Sequence, residues 1–346
     1  NREKQLALDL QEAQLKKQEA EIKNRNNLIK AAIVSLALIL VIAIITFRNY
    51  KQKKAANELL AKQNKEISTK NKNIEHSINY AQRIQEAMLP DINSLSKYLP
   101  DSFILFKPRD VVSGDFYWFI DPYKLHLNLE NFNGDETQVS HKTAKLKDNN
   151  FIIAAVDCTG HGVPGAFMSM IGMNLLYELV SHGVVDADEI LNKLHEGIRT
   201  ALKQQKTDNQ DGMDITICVI KNKDKIVEYA GAKNPLLYIQ DGELNKIKGD
   251  RYAVGGPQYE EIRKYKKHII NIDKPTTFYI YSDGYQDQFG GPKNMKFLTS
   301  QFKNLLVEVS NEDFLKQKEI LDRTIEDWKE NVKQTDDILV IGFKLS

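Results

Sequence analysis

The stretch Phe151–Met170, FIIAAVDCTGHGVPGAFMSM, constrains the fold more than any other part of the chain. It opens as an unbroken apolar run rich in β-branched residues, the pattern of a fully buried strand. The run ends on Asp157, and Cys158-Thr159-Gly160-His161-Gly162 follows as a turn that bulky residues could hardly adopt. Pro164 suits a first helical turn, and Ala166, Phe167, Met168 and Met170 begin an apolar-rich helix. A carboxylate therefore stands at the tip of a buried strand, beside a glycine turn that lets a ligand approach the backbone.

From Asp91 onward the chain reads as short apolar strands broken by turns. Strands are expected at Phe103–Phe106, Phe116–Ile120, Phe151–Val156, Ile215–Ile220, Ile226–Ala230, Leu236–Gln240, Phe278–Tyr281 and Ile338–Phe343. Helices are expected at Ala166–Ser181, Ala187–Lys206, Met295–Val309 and Asn311–Val332. Residues 121–150 are polar and irregular and read as an exposed insertion, while Asp241-Gly242 is a hairpin signal. Strands do not alternate one-for-one with helices, which argues for an α+β layering and against a doubly wound parallel sheet. Residues 91–346 then form one domain.

The preceding third is different. Residues 1–30 are charged and helix-favouring, with Leu8, Leu15, Ile22 and Ile29 at seven-residue spacing; a weak coiled-coil seam and a solvated helix fit equally. Residues 31–47 carry no charge, and Lys30 and Arg48 bracket them. That length lies near the lower end of the roughly 17–25 residues that cross a bilayer, so a single transmembrane helix is expected. Arg48, Lys51, Lys53 and Lys54 place the C-terminal side in the cytoplasm, and hence the anchor in the cytoplasmic (inner) membrane. In residues 48–90, Leu60, Ile67, Ile74, Ala81 and Met88 keep the heptad spacing, which suggests a signalling coiled coil and a homodimer through residues 51–89; a lone amphipathic linker is the alternative. The chain lacks an initiator Met, so a sensor region is expected upstream.

With 48 basic and 47 acidic residues the net charge is +1, which gives no bulk attraction to nucleic acid. Two cysteines make no disulfide framework. Four acidic sites share a pattern instead: Asp115 before the strand Phe116–Ile120, Asp157 at the tip of its strand, Asp283 after Phe278–Tyr281, and Asp336-Asp337 before Ile338. Each alone reads more readily as a turn or cap residue. Together they would repel unless a hard divalent cation joined them, and two such ions can clamp a phosphoryl group.

The segments PRDVVSGDFYW (108–118), DCTGHGVPGAFMS (157–169), YSDGY (281–285) and TDDILVIGF (335–343) occur in that order. In this the chain resembles the SpoIIE-type branch of the metal-dependent protein phosphatases, the PPM or protein phosphatase 2C-like superfamily, over residues 78–346. The resemblance implies a β-sandwich flanked by helices, with two Mn2+ or Mg2+ ions at one edge. Asp157 would bridge both ions, helped by the Cys158 backbone carbonyl. Asp115 would serve one ion, Asp283 and Asp336 the other, and Asp337 is a less certain ligand. The implied reaction is hydrolysis of phosphoserine or phosphothreonine on a partner protein by metal-activated water, without a covalent intermediate. Relatives of this type often act on regulators of sigma-factor pathways. A catalytically silent receptor or scaffold that binds phosphoproteins is the competing reading, and a hydrolase of nucleotides or small phosphoesters a weaker one. Arg109 is a candidate for binding the substrate phosphate. His161 stands four residues after Asp157, not at the histidine position of the eukaryotic branch, so either a helix-start or a chemical role is open to it. Asp214 reads as structural or as part of the substrate edge.

Overall fold

The computed structural model describes residues 2–121, 150–258 and 262–346. Contacts divide the chain into two compact units, Asn1–Glu75 and His76–Ser346. The expected insertion at 121–150 falls almost wholly outside the described residues.

The first unit is helical and belongs to α1 (Arg2–Met88). No Gly or Pro interrupts this sequence before Pro90, so the helix runs unbroken through the three segments read separately above. Between Lys30 and Arg48 its two hydroxyls turn back onto the helix. Ser35 Oγ donates to Ala32 O at 2.9 Å and Thr46 Oγ1 to Ile42 O at 2.9 Å, so neither leaves an unmet donor on the apolar surface. By length and composition this helix can cross a membrane. The heptad residues Leu60, Ile67 and Ile74 are exposed in the single chain.

In the second unit, two antiparallel sheets pack face to face. One runs in the order β1 (Ser102–Lys107), β13 (Ile338–Leu345), β10 (Thr276–Tyr281), β6 (Leu236–Gln240), β7 (Glu243–Ile247). The other runs β2 (Phe116–Ile120), β3 (Asn150–Cys158), β4 (Gly212–Lys221), β5 (Ile226–Ala232), β9 (His268–Asn271), with the short β8 (Val254–Gly255) on β4. The run 151–156 is apolar throughout because β3 is covered twice. Phe151, Ile153 and Ala155 face the other sheet together with Phe278, Ile280, Leu339 and Ile341. Ile152, Ala154 and Val156 face the helices α3 (Gly162–Ser181) and α4 (Ala187–Ala201). Alternation along a strand sends successive side chains into different layers. On the far side, Leu105, Tyr279, Tyr281 and Val340 meet α6 (Thr299–Val309) and α7 (Phe314–Lys329). The result is the expected α+β sandwich flanked by helices.

Several boundaries differ from the sequence reading. Helix α3 begins at Gly162, not Ala166. Helix α4 stops at Ala201, because Lys203 takes φ 53. Met295 does not start a helix: β12 (Met295–Lys296) pairs with β11 (Phe289–Gly290) across a turn with Gly291 at φ 66 and Asn294 at φ 46. Helix α7 is shorter than expected, starting after Asp313, which accepts from Lys316 N, and ending at Glu330 with φ 47. The Asp241-Gly242 hairpin forms with φ 54 and φ 78, and its return strand β7 is too polar to have been read. Two further short elements, α2 (Ile92–Leu95) and α5 (Gly284–Asp287), complete the described set.

Candidate metal centre

Register brings the four acidic sites to one edge. In the second sheet Phe116 pairs with Val156, so Asp115 and Asp157, one residue beyond each, stand side by side. In the first sheet Tyr281 pairs with Val340, which sets Asp283 near Asp336-Asp337. A Cβ on Gly284 would lie 1.9 Å from Asp337 O, so only glycine permits this approach. Across the two sheets, Asp157 and Asp283 come close enough for the Asp283 charge to help raise Asp157 above the usual carboxylate range, after burial.

The electrostatics follow from this crowding. Burial pushes Asp115 well above the usual carboxylate range, the Asp157 charge adds to it, and the Ser282 hydroxyl opposes it. Burial also raises Asp157 strongly, followed by the charges of Asp283, Asp214 and Asp336. Asp283 is raised by burial, then by Asp287 and Asp336; Asp336 is raised by burial and eased by the Asp337 amide, His161 and Arg109. Asp115 Oδ2 is buried and has no hydrogen-bond partner among the described residues. Like charges gathered out of water, with an orphaned carboxylate oxygen, fit a hard divalent cation as the missing partner. Among the described residues no three acidic, His or Cys side chains form a closed ligand set. Mg2+ needs none, since it keeps several waters and takes one or two carboxylates.

Asp337 has a different job from its neighbours. It is 2 % exposed, and Oδ1 accepts from Arg109 N at 2.7 Å while Oδ2 accepts from Gly114 N at 2.7 Å and Asp115 N at 3.4 Å. Its carboxylate is spent on the backbone of the loop that delivers Asp115. The same loop is held from its other side by Gln85, near the end of α1: Gln85 Nε2 donates to Ser113 O at 2.6 Å and Ser169 Oγ at 2.7 Å, and Ser113 N donates to Gln85 Oε1 at 3.1 Å. The loop packs so closely on the glycine turn after β3 that a Cβ on Gly114 would lie 2.3 Å from Gly160 O and 3.5 Å from Cys158 O. The Cys158 carbonyl is thus at the site, while its thiol is buried and raised by burial.

At the rim, Arg109 is exposed, and Nη1 donates to Thr335 O at 3.0 Å. His161 occupies the N-cap position of α3 without capping it, and its Nδ1 lies 3.1 Å from Asp110 Oδ2. Asp214 joins the cluster directly, because β3–β4 pairing places it opposite Asp157. Burial raises Asp214, and Lys233, whose Nζ lies 3.1 Å from Oδ1, opposes the rise. The sequence reading gave Asp214 as structural or part of the substrate edge; its place opposite Asp157 comes from the pairing of β3 with β4, which two helices separate along the chain.

A four-layer sandwich with acids at one sheet edge is the architecture of a PP2C-type phosphatase domain. The chain matches the family model "Stage II sporulation protein E (SpoIIE)" over residues 147–346. Among solved structures it is similar to the SiaA-PP2C domain of Pseudomonas aeruginosa, at 30 % identity and TM-score 0.64, covering 80 % of this chain and 98 % of that one. It is also similar in fold to the PP2C phosphatase domain, with a fragment of the regulatory domain, of SpoIIE from Bacillus subtilis, at 14 % identity and TM-score 0.51, covering 71 % and 63 %. No curated protein sequence matches the chain. The chain belongs to the SpoIIE family.

Proposed function

We propose that this chain is a membrane-anchored phosphatase that hydrolyses phosphoserine or phosphothreonine on a partner protein, with two Mn2+ or Mg2+ ions held by Asp115, Asp157, Asp283 and Asp336. What supports this reading is the chain of mutually repelling buried carboxylates, Asp157 acting on Asp115 and Asp283 and Asp336 acting on Asp157, with an Asp115 Oδ2 that has no hydrogen-bond partner among the described residues. Asp157 lies between Asp115 and Asp283 and is the residue to serve both ions, with the Cys158 carbonyl beside it. Asp283 and Asp336 would help hold one ion and Asp115 the other. Asp337 is assigned to the loop instead, because its oxygens already hold backbone amides.

When bound, such ions lower the pKa of water and neutralise the phosphoryl oxygens. The chain's own residues position these events. Asp337 and Gln85 fix the backbone that presents Asp115, and the glycine turn brings the Cys158 carbonyl to the same edge. Arg109, tied to Thr335 O, keeps a cation at the rim, where it can meet the substrate phosphate. Neither cysteine suits nucleophilic catalysis, because both thiols are buried and raised by burial.

Residues 31–47 serve as the single membrane span, with the basic cluster from Arg48 keeping residues 91–346 in the cytoplasm. Residues 51–89 pair with a second copy and carry a signal from an upstream sensor. The partner is a phosphoprotein, and a regulator of a sigma-factor pathway fits the family. The direct test is Mn2+-dependent phosphate release from a phosphoserine peptide by the full chain in detergent. The wild type should turn over and Asp157→Asn should not. Turnover that survives Asp157→Asn, or that needs no divalent ion, overturns the mechanism. Absence of turnover with every divalent ion favours the phosphoprotein-binding scaffold.

A further inference from the structure

The acidic edge has cations on two sides, and they are held differently. Arg109 and His161 act on the Asp336 side, and each already has a partner, Thr335 O and Asp110. On the other side stands Lys233, in the turn between β5 and β6. It adopts φ 57, a left-handed conformation uncommon outside glycine. The conformation is enforced by the surrounding backbone: Lys233 N donates to Asp250 O at 2.7 Å, and Asp250 N donates to Gly231 O at 2.7 Å. Just beyond, the buried Tyr229 hydroxyl donates to Asn234 O at 2.8 Å. A residue held in a sparsely populated conformation by this many contacts has its side chain aimed by design of the turn. Here the ammonium comes to 3.1 Å from Asp214 Oδ1, and Asp214 faces Asp157 across the β3–β4 ladder.

We propose that Lys233 binds the phosphoryl group of the substrate at the Asp157–Asp214 edge, exchanging its carboxylate partner for phosphate. This rests on the phosphatase reading above and names a residue that the sequence motifs did not. One observation and two physical arguments support it. The Lys233 side chain is 51 % exposed while that of Asp214 is 27 % exposed, so the cation faces the solvent from which substrate arrives. A half-exposed ion pair contributes little by itself, so release from Asp214 is not a barrier. A phosphomonoester carries a charge of about −1.5 to −2 near neutral pH and outcompetes one carboxylate for an ammonium. The exchange also returns the Asp214 charge to the acidic cluster around Asp157, where bound divalent ions would offset it. The bland alternative is that Lys233 only neutralises Asp214.

The test uses the full chain in detergent with Mn2+, comparing wild type, Lys233→Met, Lys233→Arg and the double variant Lys233→Met/Asp214→Asn. Methionine keeps the Cβ and the stem, so the turn is unchanged. KM for a phosphoserine peptide and the inhibition constant for inorganic phosphate should each rise about tenfold in Lys233→Met, the loss of one charge-assisted contact. The melting temperature should not move, Lys233→Arg should recover most of the affinity, and Asp214→Asn should not rescue Lys233→Met. Unchanged phosphate inhibition in Lys233→Met overturns the proposal, as does full rescue by Asp214→Asn, which assigns Lys233 to charge neutralisation alone. If the wild type itself releases no phosphate, it is the phosphatase reading that fails, a result separable from either of these.

Discussion

Asp337 offers the sharpest separation between a ligand and an anchor. Its two short bonds, to Arg109 N and Gly114 N at 2.7 Å each, are charge-assisted, and the third, to Asp115 N at 3.4 Å, adds little. Bonds to a charged group contribute about 1.5–3 kcal/mol each, and a buried amide left unpaired costs about 1–3 kcal/mol. Gly114 is buried, so its amide would find no water, whereas the exposed Arg109 can recover a bond to solvent. Asp337→Ala should therefore destabilise the domain by about 2–4 kcal/mol, most of it from Gly114. Asp337→Asn keeps one acceptor and should lose about half as much. Thermal unfolding of the full chain in detergent with EDTA present measures this without any metal contribution. Asp157→Asn serves as the control and should lose no stability under chelation, because it removes a charge from a crowded cluster. If Asp337→Ala leaves the metal-free melting temperature unchanged but weakens Mn2+ binding, the anchor assignment is wrong and Asp337 is a ligand.

Further expectations follow from the same geometry. Asp115 and Asp157 hold their protons to higher pH in the folded state than when unfolded, so their contribution is intact below about pH 4 and is lost as pH rises through the raised values. Melting temperature under EDTA should thus fall from mildly acidic to neutral pH relative to Asp115→Asn, and saturating Mn2+ should abolish the difference; identical pH profiles for the two proteins would refute it. Gly114→Ala must push the loop off Gly160 O, so phosphate release should drop at least tenfold with a clear loss of melting temperature, and wild-type kinetics would contradict the packing. Gln85→Ala leaves Ser113 and Ser169 short of partners and should lower melting temperature by several degrees together with activity. Insertion of one to three residues near Gln63 should change basal activity with helix phase, and uniform activity across the series would end the transmission proposal.

Most of the strands were legible because burial on both faces leaves a continuous apolar run, as in Phe151–Val156. What was not legible has a physical cause in each case. Strands β7 and β9 carry Asn245, Lys246, His268 and Asn271, polar enough to hide the pattern at sheet edges. Helix ends at Ala201 and Lys329 are set by left-handed residues Lys203 and Glu330, neither of them glycine, so the stop signal was absent. At the site, the four acids could be picked out by position at strand ends, but sequence gives no cross-sheet distances. The ranking of Asp336 over Asp337 as a ligand came from the family resemblance alone; that the Asp337 carboxylate accepts from Arg109 N and Gly114 N could not be read from the sequence. Nor could it raise Asp214 above a strand-start residue, since its importance comes from being opposite Asp157 in the ladder.

The central claim is that acids at the ends of β2, β3, β10 and β13 meet to hold divalent cations. Anomalous diffraction from crystals of the protein grown with Mn2+ tests it most directly. The account predicts manganese density between Asp157 and Asp283, with Asp115 Oδ2 turned toward a second ion directly or through one water. Manganese found only elsewhere, or Asp157 without contact to any ion at saturating metal, would contradict it.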